Sequence, residues 1–240
     1  MAVSLPESFG QASDGSGSVR RNVVELAEVP KGLPGRQSKS LLPEHVDDVL
    51  VKTASDRLHN YIVVSLLTGG RTEELRALRW EHVHLDAAQP HVEVWRSVRV
   101  DGDTKSRKSR RTLALPARCV EALRRQRSQQ LADRLRAGDR WQDNSLVFAT
   151  SVGAQMSAGN VRRDFRRSLG LVPGLDPTEW TPRELRHSFV SLLSAAGVPL
   201  EKISQLVGHS GTTVTELVYR HQLKLVIQTG ATVMDRLFGA

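Results

Sequence analysis

Four short stretches of this 240-residue sequence gather residue types suited to binding and transferring phosphate. In the first, Thr68-Gly69-Gly70-Arg71-Thr72-Glu73-Glu74, Arg71 follows two glycines where a helix begins, so a guanidinium and exposed N–H groups can face one anion. An ordinary surface arginine after a loop is the plainer reading of the same residues. The second stretch holds five basic residues among the seven from 105 to 111, with Lys105 nearest a turn between two strands. It suits contact with a DNA backbone and equally suits a solvated charged turn. In the third, Arg183 and Arg186 lie three apart on one helix face with His187 beside them. Guanidiniums at a helix N-terminus repel one another and oppose the macrodipole. A bound anion relieves both penalties, as does pairing with Glu184.

The fourth stretch carries His209 just after Gly208 and Tyr219 ten residues on, with Arg220 and His221 next to the tyrosine. A tyrosine becomes a covalent nucleophile when neighbouring cations counter its high pKa. The sequence has two tyrosines, and the other, Tyr61, sits inside an apolar run and reads as core. Gly208-His209-Ser210-Gly211 lacks the spacing of a hydrolase elbow and follows no strand. His82, His84 and His91 lie close together, but nothing in the sequence places them on one face with a carboxylate, so no metal site and no cofactor are expected.

These residues need elements to position them. Residues 1–40, rich in Gly, Ser and Pro without periodicity, read as a flexible tail or linker, and 41–240 as one domain. Helices are expected over 44–53, through the apolar run ending near Gly69 and Gly70, and over 71–81. Two strands follow, around 90–100 and 109–116, as a small antiparallel sheet. Beyond Pro116 the chain reads as helical. One helix, over 117–138, has Val120, Leu123, Leu131 and Leu135 on its apolar stripe, and another repeats Val161, Phe165 and Leu169. Thr181, Pro182 and Glu184 mark a helix start that Gly197 closes, a short helix over 200–207 stops at Gly208, and Thr213 with Glu216 opens the last. The fold class is α+β, mainly helical.

Composition bounds the function. The net charge of +8 favours a polyanionic partner, nucleic acid first. A single cysteine, Cys119, excludes an intrachain disulfide and fits a reducing cytoplasm. No apolar run is long enough to span a bilayer, and the N-terminus lacks a secretory pattern, so a cytoplasmic protein without membrane contact is expected.

Taken in order, the four stretches resemble the motif boxes of the tyrosine recombinases of the phage integrase type, over about residues 40 to 230. The resemblance implies that family's catalytic-domain fold and double-stranded DNA as partner. It implies a site-specific recombinase in which Tyr219 attacks a phosphodiester to form a 3′-phosphotyrosine, Arg71, Arg183 and Arg186 hold the phosphate, Lys105 protonates the leaving oxygen and His209 binds the phosphate. Glu74 falls at the acidic companion position of the first arginine. The chemistry conserves bond energy, needing neither metal nor ATP. The family's second box normally starts with histidine where Arg183 stands. Arginine keeps a phosphate contact but is no base, which leaves His209 and His187 to accept the Tyr219 proton. The family's N-terminal core-binding domain is expected to be absent. Apolar residues beyond Tyr219 (Leu223, Leu225, Val226, Ile227, Val233, Met234, Leu237 and Phe238) imply a tail that packs on a neighbouring protomer in a homotetramer on DNA, or else on its own domain. A type IB topoisomerase and a DNA-binding remnant without catalysis are the alternative readings.

Overall fold

The structure is a computed structural model and describes residues 39–95 and 110–208. The expected tail over 1–40 thus lies almost wholly outside the described residues, as do Lys105, His209, Tyr219, the 213–216 capping box and the C-terminal apolar residues.

The element order is α1 (Pro43–Lys52), α2 (His59–Thr68), α3 (Thr72–Ala77), β1 (Val83–His84), β2 (His91–Val94), β3 (Arg111–Ala114), α4 (Ala117–Ala137), α5 (Ala158–Leu169), α6 (Arg183–Ala195) and α7 (Leu200–Val207). Helix α2 is the hub: its apolar run leaves Tyr61, Ile62, Val63, Val64 and Leu66 buried, and it packs against α4 and α6. Such all-round burial is what a helix without a polar face requires. Tyr61 is core as expected, its ring edge-on to Phe148 at 5.2 Å. Cys119 is buried too, and burial pushes its thiol up to about 12, out of reach of reaction. Val161, Phe165 and Leu169 of α5 are fully buried in the same core. A second, smaller cluster of Val190, Ile203 and Val207 joins α6 to α7.

Among the described residues the sheet has three antiparallel strands in the order β1-β2-β3. Strand β1, two residues long, adds to the two strands expected. Where one helix was expected over 71–81, α3 stops at Ala77 and Leu78 turns extended. The amide of Val147 donates to Leu78 and that of Trp80 to Ser145, so the chain leaves the helix to pair with a distant segment. Tertiary pairing here overrides a helical pattern.

The apolar stripe expected on α4 is also corrected. Leu123 is buried, but Leu131 and Leu135 are 60% and 85% exposed. The buried face runs through Cys119, Ala122, Leu123, Gln126, Gln130, Asp133 and Ala137. Its polar members serve distant backbone and charge: Gln126 and Gln130 donate to the carbonyls of Leu146 and Val147, and Asp133 accepts from Arg57 and Arg136. Because Leu131 and Leu135 each follow a buried residue by one or two positions, they face solvent. Leu135→Gln is therefore expected to change stability by less than about 0.5 kcal/mol, and Leu123→Ala to cost about 2–4 kcal/mol, as read by urea unfolding.

Among the described residues no helix is long and apolar enough to cross a membrane.

Candidate active site

Two helix starts and two helix ends converge on one group of arginines. The first start is α3. Arg71 precedes the helix with extended backbone, and Glu74, three residues on, reaches back so that its Oε2 accepts the Arg71 N–H at 2.8 Å. That is half of a capping box. The Arg71 N–H is thereby occupied and does not face an anion as expected. An arginine side chain cannot accept in return. Instead the Arg71 guanidinium donates to Glu74 Oε1 at 2.7 Å and to the Gly208 carbonyl at 3.2 Å. About a third of the Arg71 side chain stays exposed, so it can still meet a ligand.

Glu74 itself is buried, and its second partner is Arg111 of β3, which donates to Oε1 at 3.0 Å and to Oε2 at 2.8 Å. With the two bonds from Arg71, all four acceptor directions of the carboxylate are used. Burial alone would raise the Glu74 carboxyl, but the Arg111 hydrogen bonds and the charges of Arg111 and Arg71 outweigh it and hold the group at about 2.

The second start is α6. Glu184 Oε2 accepts from both the N–H and the hydroxyl of Thr181, which is the glutamate half of the expected capping box; the Thr181 hydroxyl does not cap the helix in return, and regular helix begins one residue later than expected, at Arg183. The helix ends as expected at Gly197 (φ +78°). There the Gly197 and Val198 amides donate to the carbonyls of Ser194 and Leu193, which is a Schellman closure. Arg183 is exposed at the first turn, while Arg186, one turn on, is buried.

Arg186 reaches both helix ends. It donates to the carbonyl of Gly69, at the end of α2, at 2.7 Å and to that of Val207, at the end of α7. Gly69 is left-handed (φ +65°), and a Cβ there would lie 2.5 Å from the Phe189 ring, so only glycine brings that carbonyl to the arginine. The α7 terminus is held three times over: Arg111 donates to the carbonyl of Leu206 at 2.7 Å, Arg186 to that of Val207 and Arg71 to that of Gly208. Cations at the negative end of a helix dipole are favourable.

The electrostatics record a surplus of positive charge. Burial first, then the Arg71 charge, with smaller pushes from Arg111 and Arg183, draw Arg186 down to about 9, against a pull upward from Glu74. It remains a cation at neutral pH. His187 is drawn down to about 4, by burial and then by Arg183, and its Nε2 is buried without a hydrogen-bond partner. His187 is thus held as a neutral imidazole beside the arginines. Four guanidiniums and two carboxylates, Glu74 and Glu184, leave a site that an added anion would balance.

Of the expected site residues, the structure brings Arg71, Arg183 and Arg186 together, and Lys105, His209 and Tyr219 lie outside the described residues. The residue that sequence reasoning passes over is Arg111. In the sequence it is only the end of a basic run, and no local signal separates a buried ion-pairing arginine from its exposed neighbours.

The helical core with a small antiparallel sheet is the fold of tyrosine recombinase catalytic domains. The XerA recombinase superposes with a TM-score of 0.63 at 21% identity over 85% of this chain and 67% of that chain. The Tn1549 transposon integrase, solved in complex with circular-intermediate DNA, does so at 0.64 and 19% identity over 83% and 67%. A lambda integrase tetramer bound to a Holliday junction gives 0.56 at 16% identity over 83% and 52%. Residues 36–225 match the Phage integrase family, and the chain belongs to that family. It is 60% identical over 227 residues to an integrase of Streptomyces ambofaciens, covering 92% of this chain and 58% of that protein. It is 23% identical to a XerC-like tyrosine recombinase of Caldanaerobacter subterraneus subsp. tengcongensis, covering 81% and 53%. The chain spans a little more than half the length of these curated relatives.

Proposed function

We propose that residues 41–240 are the catalytic domain of a site-specific DNA recombinase that cleaves and rejoins DNA through a 3′-phosphotyrosine, acting in integration or excision of a DNA element. The observation that carries this reading is the convergence of Arg71, Arg183 and Arg186 from the starts of α3 and α6, in a chain of the phage integrase family. Tyr219 attacks the phosphorus, and the 5′-oxygen leaves with a proton from Lys105. The negative charge growing on the nonbridging oxygens is met by cations already in place. The exposed Arg183 guanidinium and the partly exposed Arg71 guanidinium are able to donate to a phosphate. Arg186 supplies fixed charge from below. His209 donates to the phosphate. The Tyr219 proton passes to His209 or His187. The neutral state of His187 supports it as an acceptor, and a phosphate that offsets the Arg183 charge raises its basicity. Strand exchange needs two cleaved sites, and we carry over a homotetramer on double-stranded DNA, with the residues beyond Tyr219 as the contact, in the cytoplasm where that DNA lies.

The test works without a specified target sequence. A randomised library of nicked suicide duplexes is incubated with the protein, and covalent adducts surviving detergent are recovered and sequenced. Wild type is expected to enrich one sequence as an adduct that Tyr219→Phe abolishes. An adduct undiminished in Tyr219→Phe, or none at any sequence, would reject the reading.

A further inference from the structure

Outside the arginine cluster, the outer face of the sheet gathers three histidines and a carboxylate. Strands β1 and β2 pair antiparallel with His84 directly opposite His91. Glu93 lies two residues beyond His91 and so on the same face, and His82, at the end of the helical turn before β1, reaches Glu93 from the side. Val92 and Val94 fill the other face and are buried in the core. The sheet register thus groups His84, His91 and Glu93, and a side-chain contact adds His82. The sequence offers no reason to expect a carboxylate on the histidines' face, and the register overturns that expectation.

The group has the contacts of a metal site. One ligand atom from each of His84, His91 and Glu93 lies within 4.8 Å of the others. His84 Nε2 is buried and has no hydrogen-bond partner, and Glu93 Oε1 stands 3.6 Å from it. That gap is too long for a hydrogen bond and close to the ~3.3 Å between two ligands each about 2.0 Å from a tetrahedral ion. The supporting contacts are also in place. His91 Nδ1 meets the Gln89 carbonyl at 2.8 Å. A carbonyl only accepts, so this nitrogen carries the proton and the lone pair stands on Nε2. His82 Nδ1 meets Glu93 Oε2 at 3.1 Å, which holds the carboxylate by the oxygen turned away from His84. The rings of His84 and His91 stack with centroids 4.5 Å apart, so both nitrogens are presented side by side.

We propose that His84, His91 and Glu93 bind a divalent transition ion of the zinc class, with His82 orienting the carboxylate and water completing the coordination. Two imidazoles and one carboxylate select zinc, cobalt or nickel over magnesium and calcium, which demand oxygen ligands. The ion would fasten β1 to β2. Strand β1 has two residues and a correspondingly short ladder, so a cross-strand clip has much to add there. The site is separate from the arginine cluster and requires no metal in the transfer of phosphate.

The whole chain, freed of metal with a chelator, is titrated with cobalt(II) and in parallel melted with and without zinc. A visible absorption band of four- or five-coordinate cobalt is expected, displaced by zinc, together with a rise in Tm of about 5 °C or more at a hundredfold excess over Kd. His84→Ala/His91→Ala should lose both responses, and so should the milder Glu93→Gln, while His45→Ala on α1 keeps them. Absence of both the band and the Tm shift in wild type would overturn the proposal. So would their survival in His84→Ala/His91→Ala, since the metal would then sit elsewhere.

Discussion

Replacing Glu74 by alanine is expected to destabilise the protein by about 3–5 kcal/mol, the largest single effect outside the hydrophobic core. The carboxylate is buried and accepts four hydrogen bonds, two from Arg71 and two from Arg111. Its loss leaves the Arg111 guanidinium, itself only 8% exposed, without the anion that offsets its burial. Denaturant unfolding of the single variant and of Glu74→Ala/Arg111→Met checks this. The double variant should recover part of the loss, because a buried charge deprived of its counter-ion is worse than none. A double variant as unstable as the sum of its singles would mean that the two side chains do not act as a pair. The same carboxylate sets an acid limit. Its pKa falls from an ordinary 4.5 to about 2 on folding, so its contribution is fully present above pH 4.5 and fades as pH drops toward 2. His187 adds to the slope at higher pH. It is held neutral at about 4 in the fold against 6.5 when unfolded, so stability also falls between pH 6.5 and 4.

The second large effect falls on chemistry. Arg186→Lys is expected to lower formation of the covalent DNA adduct by about 10²–10³-fold, measured on the suicide duplex recovered for wild type. The guanidinium spans the carbonyls of Gly69 and Val207, which belong to different helices. An ammonium is a point charge on a flexible stem and cannot fix both at once. The variant therefore keeps most of the charge and loses the geometry. Arg186→Lys activity within a few-fold of wild type would show that charge alone suffices at this position.

Much of the arrangement was legible in the sequence because its determinants are local. Thr181, Pro182, Glu184 and Gly197 bracket α6 by rules that act over four residues, and the apolar run of α2 announces a buried helix ending in glycine. The spacing of Arg183 and Arg186 on one face was readable for the same reason. What escaped depends on partners far along the chain. Gln126, Gln130 and Asp133 fall outside the apolar stripe expected on α4, and their burial depends on the segment at 146–147 and on Arg57. Arg111 looks like one more surface cation because Glu74 lies 37 residues away. Glu93 joins the histidines only through strand register, which neither strand specifies alone.

On the proposed function, the three successive carbonyls at the end of α7 would share their arginines with the phosphate. Residue 208 is the last before His209, and the chain continues from there to Tyr219. An anion that draws the Arg71 guanidinium toward itself does so in competition with the Gly208 carbonyl, and one that bonds Arg186 competes with Val207. By reciprocity, whatever strengthens those carbonyl contacts weakens the hold on the anion by the same free energy. On the proposed function, holding the anion and anchoring the end of α7 are thus two ends of one balance, because the same guanidiniums serve both.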